Sequence, residues 1–368
     1  MFNFGKCYKY LEKVNHGFWN IIRVLSYGRP AMIVTGTRSI GKSTQVALLC
    51  LLTYAIYGKK FLYCRRRKTD VDATYKKFFN NALVLFNECF PRKIVGFKAF
   101  NGSYWIAFTL DENEEPVWEE CGGYFPLSKQ QSHKSDDLSE YVILIYDEFI
   151  NTNPNGYLGT KDNTDMEWSE LMSLCETIDR GLNKPFRKEL ALFCLGNKST
   201  VYNPIALSVG LVDYIQKGAR FTAPKDLQWV WEDIDKVEAT VDYAESPWSQ
   251  LQTETDRKAM HENISADSST DFIRRPENCK YIHTVQLKGT KYGIYTDNTN
   301  FYIDIPKESY LVKSLDVHSH GTSDSGLIRS WRQDSLMMQL TEAYCDGRLF
   351  FGNGKIQSIF LKYLEFTK

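Results

Sequence analysis

The sequence has no excess of either charge: Lys+Arg and Asp+Glu are both 45 in 368 residues. This excludes a chain that coats nucleic acid through a global cationic field and leaves local basic clusters to make any such contact. It has no C-x-x-C pair. Its nine cysteines are scattered and odd in number, which predicts reduced, mostly buried thiols of an intracellular protein. Long hydrophobic runs are missing too: the longest, Val46 to Tyr57, is too short to span a bilayer and reads as a core helix. The first residues, MFNFGKCYKYLEKVNHGFW, hold no apolar core bounded by a cleavage site, so no signal peptide is expected. Nothing in the second half repeats the first. What is plentiful is apolar and aromatic content, 43% and 14%, ample for two cores of ordinary size.

One stretch organises the rest. In AMIVTGTRSIGKSTQVALLCLL, residues 31–52, an apolar run stops at two glycines and a lysine and then resumes at helical length. Gly36-Thr37-Arg38-Ser39-Ile40-Gly41-Lys42-Ser43 satisfies G-x-x-x-x-G-K-[ST] in full, with Thr44 following. The glycines let backbone N–H groups curl around phosphates, Lys42 reaches the β- and γ-phosphates, and Ser43 stands as a Mg²⁺ ligand at a helix N-terminus. Such a loop requires a second acid for the metal and, in a hydrolase, a base for the attacking water. Val142-Ile143-Leu144-Ile145-Tyr146-Asp147-Glu148 offers both at the end of a buried strand, Asp147 for the metal and Glu148 for the water. ATP and Mg²⁺ are therefore the expected ligands.

Further candidates flank these motifs. Asn197 ends the strand LALFCLGN and suits a polar sensor beside the γ-phosphate, although an Asn in an ordinary turn has the same sequence. Asn197-Lys198-Ser199-Thr200 begins like a guanine-reading N-K-x-D but lacks the Asp, which disfavours a GTPase. Arg65, Arg66, Arg67 and Lys68 follow the strand Phe61 to Cys64, placed either to contact phosphates of ATP or DNA or as a solvated turn. That additional strand between the motifs, together with the Asp-Glu pair, points to the additional-strand, catalytic-glutamate (ASCE) ATPases. Arg180 closes a helix after the acids, where a dipole contact and an arginine finger on a neighbouring subunit compete. Arg38 lies inside the loop and within reach of the γ-phosphate in cis.

Element patterns predict one or two aromatic helices over 2–27, a strand at Ala31 to Thr35 and a helix from Lys42 to Tyr57. A single helix is expected to carry Tyr75, Phe78, Phe79, Leu83 and Phe86, and a hairpin is expected around the acidic turn 111–115. A helix capped by Asp165 presents Trp168, Leu171, Met172, Cys175 and Ile178. The alternation of strands and helices makes residues 1–220 an α/β domain with a mostly parallel sheet. Residues 221–276 are charged and read as a linker or lid. Residues 277–368 form a smaller α+β domain: a three-strand meander, a helix over Ser330 to Cys345 and a last short hairpin. In it His318-Ser319-His320 reads as a solvated loop, and Asp297, Asp304 and Asp316 make a poor nuclease set, since Asp297 sits in a D-N-T-N turn.

With these residues in place, the chain resembles the DNA encapsidation ATPases of small tailed phages, the φ29-like packaging motors. The resemblance rests on GTRSIGKS, FLYCRRRK, PLSKQQSHKS (Pro126 to Ser135), VILIYDEFI, LMSLCETIDR ending in Arg180, and LFCLGNKSTVYNP, in that order over about half the chain. It implies a homopentameric ring at the portal, or connector, of an empty procapsid in the host cytoplasm, away from any membrane, that drives double-stranded genomic DNA inward by ATP hydrolysis. It assigns phosphate and Mg²⁺ to Lys42 and Ser43, metal and water to Asp147 and Glu148, a trans-acting finger to Arg180, and basic roles near nucleotide or interface to Lys68 and Lys134. It makes the second domain a vestigial RNase H-like nuclease without its acids. Some such motors dock through a packaging RNA, and residues beyond 220 are where that docking would be decided. The competing readings are a ring helicase acting on DNA without packaging and a P-loop scaffold that binds nucleotide without turning it over.

Overall fold

The computed structural model describes residues 1–133, 138–151, 157–158, 166–180, 188–197, 203–216, 219–234, 237, 275–287, 290–306, 335–352, 356–357 and 360. The chain divides into two compact units, Met1–Ala266 and Asp267–Lys368.

In the first unit β1 (Ala31–Gly36) is buried along nearly its whole length, as a strand covered on both faces must be. It empties into the glycine loop and then α3 (Lys42–Tyr57), which follows α1 (Gly5–Lys13) and α2 (Ile22–Leu25). α3 is buried all round from Val46 to Leu52 because the sheet packs on one flank and α1 and α5 (Asn80–Cys89) share its core on the other. The remaining strands are β2 (Lys60–Arg65), β3 (Gly96–Phe100), β4 (Ser103–Leu110), β5 (Pro116–Pro126), β6 (Tyr141–Asp147), β7 (Ala191–Asn197), β8 (Phe221–Thr222) and β9 (Trp229–Ile234). They make one nine-stranded sheet in the order β3-β4-β5-β2-β6-β7-β1-β9-β8. The run from β5 to β9 is parallel throughout, and β3, β4 and β8 join antiparallel at the edges.

Strand alternation sends successive residues to two different cores. Met32, Val34, Phe61, Tyr63, Ile143, Ile145, Phe193 and Leu195 face the α3 side. Ile33, Leu62, Cys64, Leu144, Tyr146, Leu192 and Cys194 face the side covered by α6 (Met166–Arg180) and the short α7 (Pro204–Ser208) and α8 (Leu211–Gln216). The expected α6 stripe is in place, with Leu171 and Ile178 fully buried and Trp168, Met172 and Cys175 partly so; Asp165 lies outside the described residues. All nine cysteines are free and six of them are buried.

The fold departs from the sequence reading at four places. The helix expected through Tyr75 to Phe86 is two, α4 (Lys68–Thr74) and α5, with turns at 75–79 between them. Phe78 packs on Tyr63 (4.4 Å) while its neighbour Phe79 packs on Phe61 and Tyr104 (4.9 Å each), and the turns between the two helices let both rings reach these strand residues. The strand lying in space between those of the two motifs is β7; β2 lies beyond β6. The stretch read as linker from 221 onward begins with β8 and β9, and β9 pairs in parallel with β1, so the sheet continues to Ile234. In the second unit the meander is as expected, β10 (Lys280–Leu287), β11 (Thr290–Thr296) and β12 (Phe301–Asp304), followed by α9 (Ser335–Cys345). In place of a hairpin, the next described strand, β13 (Leu349–Phe351), pairs in parallel with β12.

Candidate nucleotide site

The ends of β1, β7 and β6 lie side by side, with Gly36 in register with Asn197 and Asp147 with Leu195. Open parallel sheets place their ligands at such strand ends. The loop leaving β1 needs its glycines. Gly36 has φ 152°, and a Cβ there would stand 2.4 Å from the Ile234 carbonyl oxygen; Gly41 has φ 89°, and a Cβ would meet that of Phe18 at 2.9 Å. Both positions combine a backbone that favours glycine with a wall that admits no side chain. Trp19 extends this wall: its N–H donates to Ile40 O (3.0 Å) and its indole to Glu232 (2.9 Å), which also accepts from Arg23 (2.9 Å).

Lys42 turns back into the loop, donating from Nζ to Gly36 O (3.1 Å), Thr37 O (2.6 Å) and Asn197 Oδ1 (3.3 Å). Burial lowers its ammonium to about 8, offset in part by the charges of Asp147 and Asp233. A polyphosphate in the loop would supply the counter-charge that these neutral acceptors do not. Asp233, on β9, is a residue the sequence reading missed: it is buried, and Thr35 donates to it at 2.7 Å.

Asp147 faces the α3 side of the sheet, where Tyr63 donates to it (3.1 Å) and Arg65 Nε lies 3.7 Å away. Burial raises its carboxyl to about 6, with the charge of Glu148 adding and Arg65 and Tyr63 opposing. Glu148 follows with φ 54°, a side chain 63% exposed, and an ion pair to Arg65 Nη2. The donor set of hydroxyl at Ser43 and buried carboxylate at Asp147 fits a hard divalent cation such as Mg²⁺, which would also relieve the burial of the acid.

The basic run divides in two. Arg65 and Arg66 are buried, at 5% and 6% exposure, on opposite faces of the sheet. Arg65 joins the acid pair, and Arg66 is bound to Glu167 (2.7 Å). The expectation that Arg66 contacts phosphate is therefore corrected: its fork is taken up by a carboxylate of α6, on the face of the sheet away from the nucleotide loop. Arg67 and Lys68 are exposed where α4 begins, and Arg38 is exposed in the loop. Arg180, also exposed, ends α6, and its neighbour Asp179 accepts from the backbone N–H groups of Lys188, Glu189 and Leu190, just before β7 starts. Glu167 stands beside Tyr146 at the other end of α6, so Arg180 lies about 20 Å further along the helix, toward the opposite end of the sheet. Lys134, Lys198, Ser199, Thr200, His318, His320 and Asp316 lie outside the described residues. Asp297 accepts from the N–H groups of Thr299 and Asn300 and from the Tyr302 hydroxyl, a closed turn, and no metal-ligating cluster occurs among the described residues.

Because folded Asp147 titrates near 6 and the unfolded carboxyl near 3.8, the folded state holds the extra proton between these values, and stability falls as pH rises through that window. The cost above pH 6, with the opposing Arg65 and Tyr63 already counted, is on the order of 3 kcal/mol. Asp147→Asn is expected to raise the unfolding temperature by roughly 3 to 6 °C at pH 8 and to leave it unchanged at pH 4. Melting curves of both proteins at both pH values check this; a variant less stable at pH 8 would show that attraction to Arg65 outweighs burial.

A P-loop lysine and an acid pair separated by one inserted strand is the arrangement of the additional-strand, catalytic-glutamate ATPases, and this protein is an ATPase of that class. Its place within the class follows from the whole sequence: the chain belongs to the podovirus DNA encapsidation protein (Gp16) family, whose profile matches residues 14–368. It is 26% identical over 353 residues to the DNA packaging protein of Bacillus phage phi29, covering 93% of this chain and 95% of that one. Its fold is shared with a chain of the bacteriophage phi29 viral genome packaging motor assembly, with TM-score 0.69, 22% identity and coverage of 95% and 99%. It is shared as well with the phi28 gp11 DNA packaging motor, with TM-score 0.63, 16% identity and coverage of 95% and 98%. Among the described residues no helix is long and apolar enough to cross a membrane.

Proposed function

We propose that this chain is the ATP-driven motor that moves double-stranded viral DNA into a preformed procapsid, acting in the host cytoplasm as a ring of identical subunits at the portal. The observation that carries this reading is the division of the site. Lys42, Asn197, Asp147, Glu148 and Arg65 gather at one end of the sheet, and Arg180 is exposed at the far end of α6. In this reading a subunit holds ATP by itself, and Arg180 serves as a finger for the nucleotide of a neighbour.

In this reading Lys42 and the amides of residues 36–44 hold the triphosphate, and Asn197 sits beside its γ-phosphate. Ser43 and Asp147 hold Mg²⁺, which neutralises phosphate charge when bound. Glu148 takes a proton from the water that attacks the γ-phosphorus as the bond to the ADP oxygen breaks. Arg65 pairs with Glu148 and holds it when it is not polarising water. Arg67, Lys68 and Lys134 are the basic residues left to meet DNA or a neighbouring subunit. In a chain with no net charge, grip on DNA depends on such local contacts and is weakened by salt. A packaging RNA would dock through residues beyond the first domain.

The test is steady-state ATP hydrolysis with and without duplex DNA across a salt series. DNA is expected to stimulate turnover severalfold at low salt and to lose that effect between about 50 and 200 mM salt. Hydrolysis indifferent to DNA at every salt concentration would remove the motor reading, and absence of hydrolysis would leave a scaffold that binds nucleotide without turning it over.

A further inference from the structure

Glu167 carries a charge in the deepest part of the α6 side, where the mechanism does not use it. Its carboxylate is fully buried, yet it accepts hydrogen bonds from Arg66 Nε (2.7 Å), Arg66 Nη2 (3.0 Å), the Tyr146 hydroxyl (2.6 Å) and the Leu158 N–H (2.9 Å). These donors come from the end of β2, from β6 one residue before Asp147, and from the loop after the acids. Burial, and next the Glu167 charge, push the Tyr146 phenol well above its ordinary value, so it remains a donor. A carboxylate with both oxygens bonded twice has no capacity for a further ligand, which excludes a metal or substrate role and leaves orientation as its action.

What it orients is visible in Arg66. The Nη2 that Glu167 holds also donates to Phe149 O (2.8 Å) and approaches Glu148 O (3.5 Å). Among the described residues Glu148 is one of seven non-glycine residues with positive φ, a conformation that persists only where the surroundings enforce it. The Phe149 N–H, which donates to Leu195 O (3.1 Å), fixes the segment from β7. Arg66 fixes it from the other side, by the two carbonyls that follow the strained angle.

We infer that Glu167, acting through Arg66, is a positioning residue that sets the backbone pose of Glu148 from the opposite face of the sheet. The inference rests on the reading of Glu148 as the group that takes the proton of the attacking water. It assigns the buried pair a kinetic role where the alternative is a purely structural one. A structural pair can be exchanged for apolar residues of similar volume without loss, because such exchanges are often neutral or stabilising, whereas a positioning pair cannot.

The experiment is the full-length triple variant Arg66→Met/Tyr146→Phe/Glu167→Leu, which leaves no polar side chain of the group without its partner. Thermal unfolding, affinity for a fluorescent ADP analogue, and kcat and KM for ATP are measured beside wild type and Glu148→Gln. The expected result is a folded protein whose nucleotide affinity and KM stay within about threefold while kcat falls by about thirtyfold or more. A stable triple variant with kcat within about threefold of wild type overturns the inference. If the triple variant does not fold, Tyr146→Phe alone decides: a severalfold fall in kcat at constant KM supports positioning, and unchanged kcat overturns it. If Glu148→Gln itself turns over like wild type, the proton-acceptor reading has failed and the positioning inference falls with it. Loss in Glu148→Gln with wild-type kcat in the triple variant defeats the positioning inference alone.

Discussion

Glu148→Gln is expected to lower kcat for ATP hydrolysis by about a hundredfold to ten-thousandfold, the range for removing a positioned general base, with nucleotide binding nearly unchanged. Glutamine keeps the shape of the side chain but cannot accept the water's proton. The original carboxylate is 63% exposed, and the buried Arg65 with which it pairs keeps Asp147 at 3.7 Å as a second anion, so the fold loses on the order of 1 kcal/mol on its replacement. The contrast with Asp147 is diagnostic. One residue earlier the carboxylate is mostly enclosed, its side chain 13% exposed, and its titration is shifted up, so changing it alters stability as well as rate. Kinetics paired with melting curves on Glu148→Gln check this, and a variant that keeps wild-type kcat would move the proton acceptor elsewhere.

Arg180→Ala is expected to lower DNA-stimulated kcat by about a thousandfold, as loss of an arginine finger does in other phosphoryl-transfer sites. Its own fold gives no reason for a large stability change: the side chain is exposed, and no described residue forms an ion pair with it. A solvent-facing arginine that served only the helix dipole would cost a few tenths of a kcal/mol and leave turnover intact. The helix sets the alternative. With Glu167 anchored beside Tyr146 and Arg180 about 20 Å away along α6, the guanidinium cannot approach the acid pair of its own chain. A catalytic Arg180 has therefore to act on the nucleotide of another subunit. Measured kcat for Arg180→Ala with duplex DNA present separates the two cases.

The parts of this site that were legible in the sequence are those whose chemistry constrains neighbouring residues. A phosphate loop demands glycines where the backbone is left-handed and crowded, and Gly36 and Gly41 prove to be such positions. A central parallel strand demands continuous apolar residues, and Val142 to Tyr146 are buried throughout. Period-two patterns were enough for the meander of β10, β11 and β12. Partners distant along the chain were not legible. Arg66 and Glu167 are 101 residues apart, and nothing in RRRK distinguishes an arginine that meets a buried carboxylate of α6 from one that meets water. Strand parity explains the outcome afterwards: 65 points with Phe61 and Tyr63 toward α3, and 66 with Leu62 and Cys64 toward α6. β9 was hidden for a different reason. WVWEDI ends in acids and is followed by charged sequence, so it read as part of a linker, whereas Glu232 and Asp233 are buried on Trp19, Arg23 and Thr35. The break between α4 and α5 depended on Phe78 and Phe79 both having aromatic partners on other elements, which periodicity within the segment does not report.

If each site is completed by a neighbour, mixing two inactive variants restores activity. Glu148→Gln keeps Arg180 and Arg180→Ala keeps Glu148, so in a mixed ring about a quarter of the interfaces, at random order, pair an intact Glu148 with an intact Arg180. DNA-stimulated ATP hydrolysis is measured for each variant alone and for an equal mixture assembled before substrate is added. Sites shared between subunits give two inactive proteins and a mixture that recovers a substantial fraction of that quarter. A mixture no more active than its components, or an Arg180→Ala protein as active as wild type by itself, would contradict it.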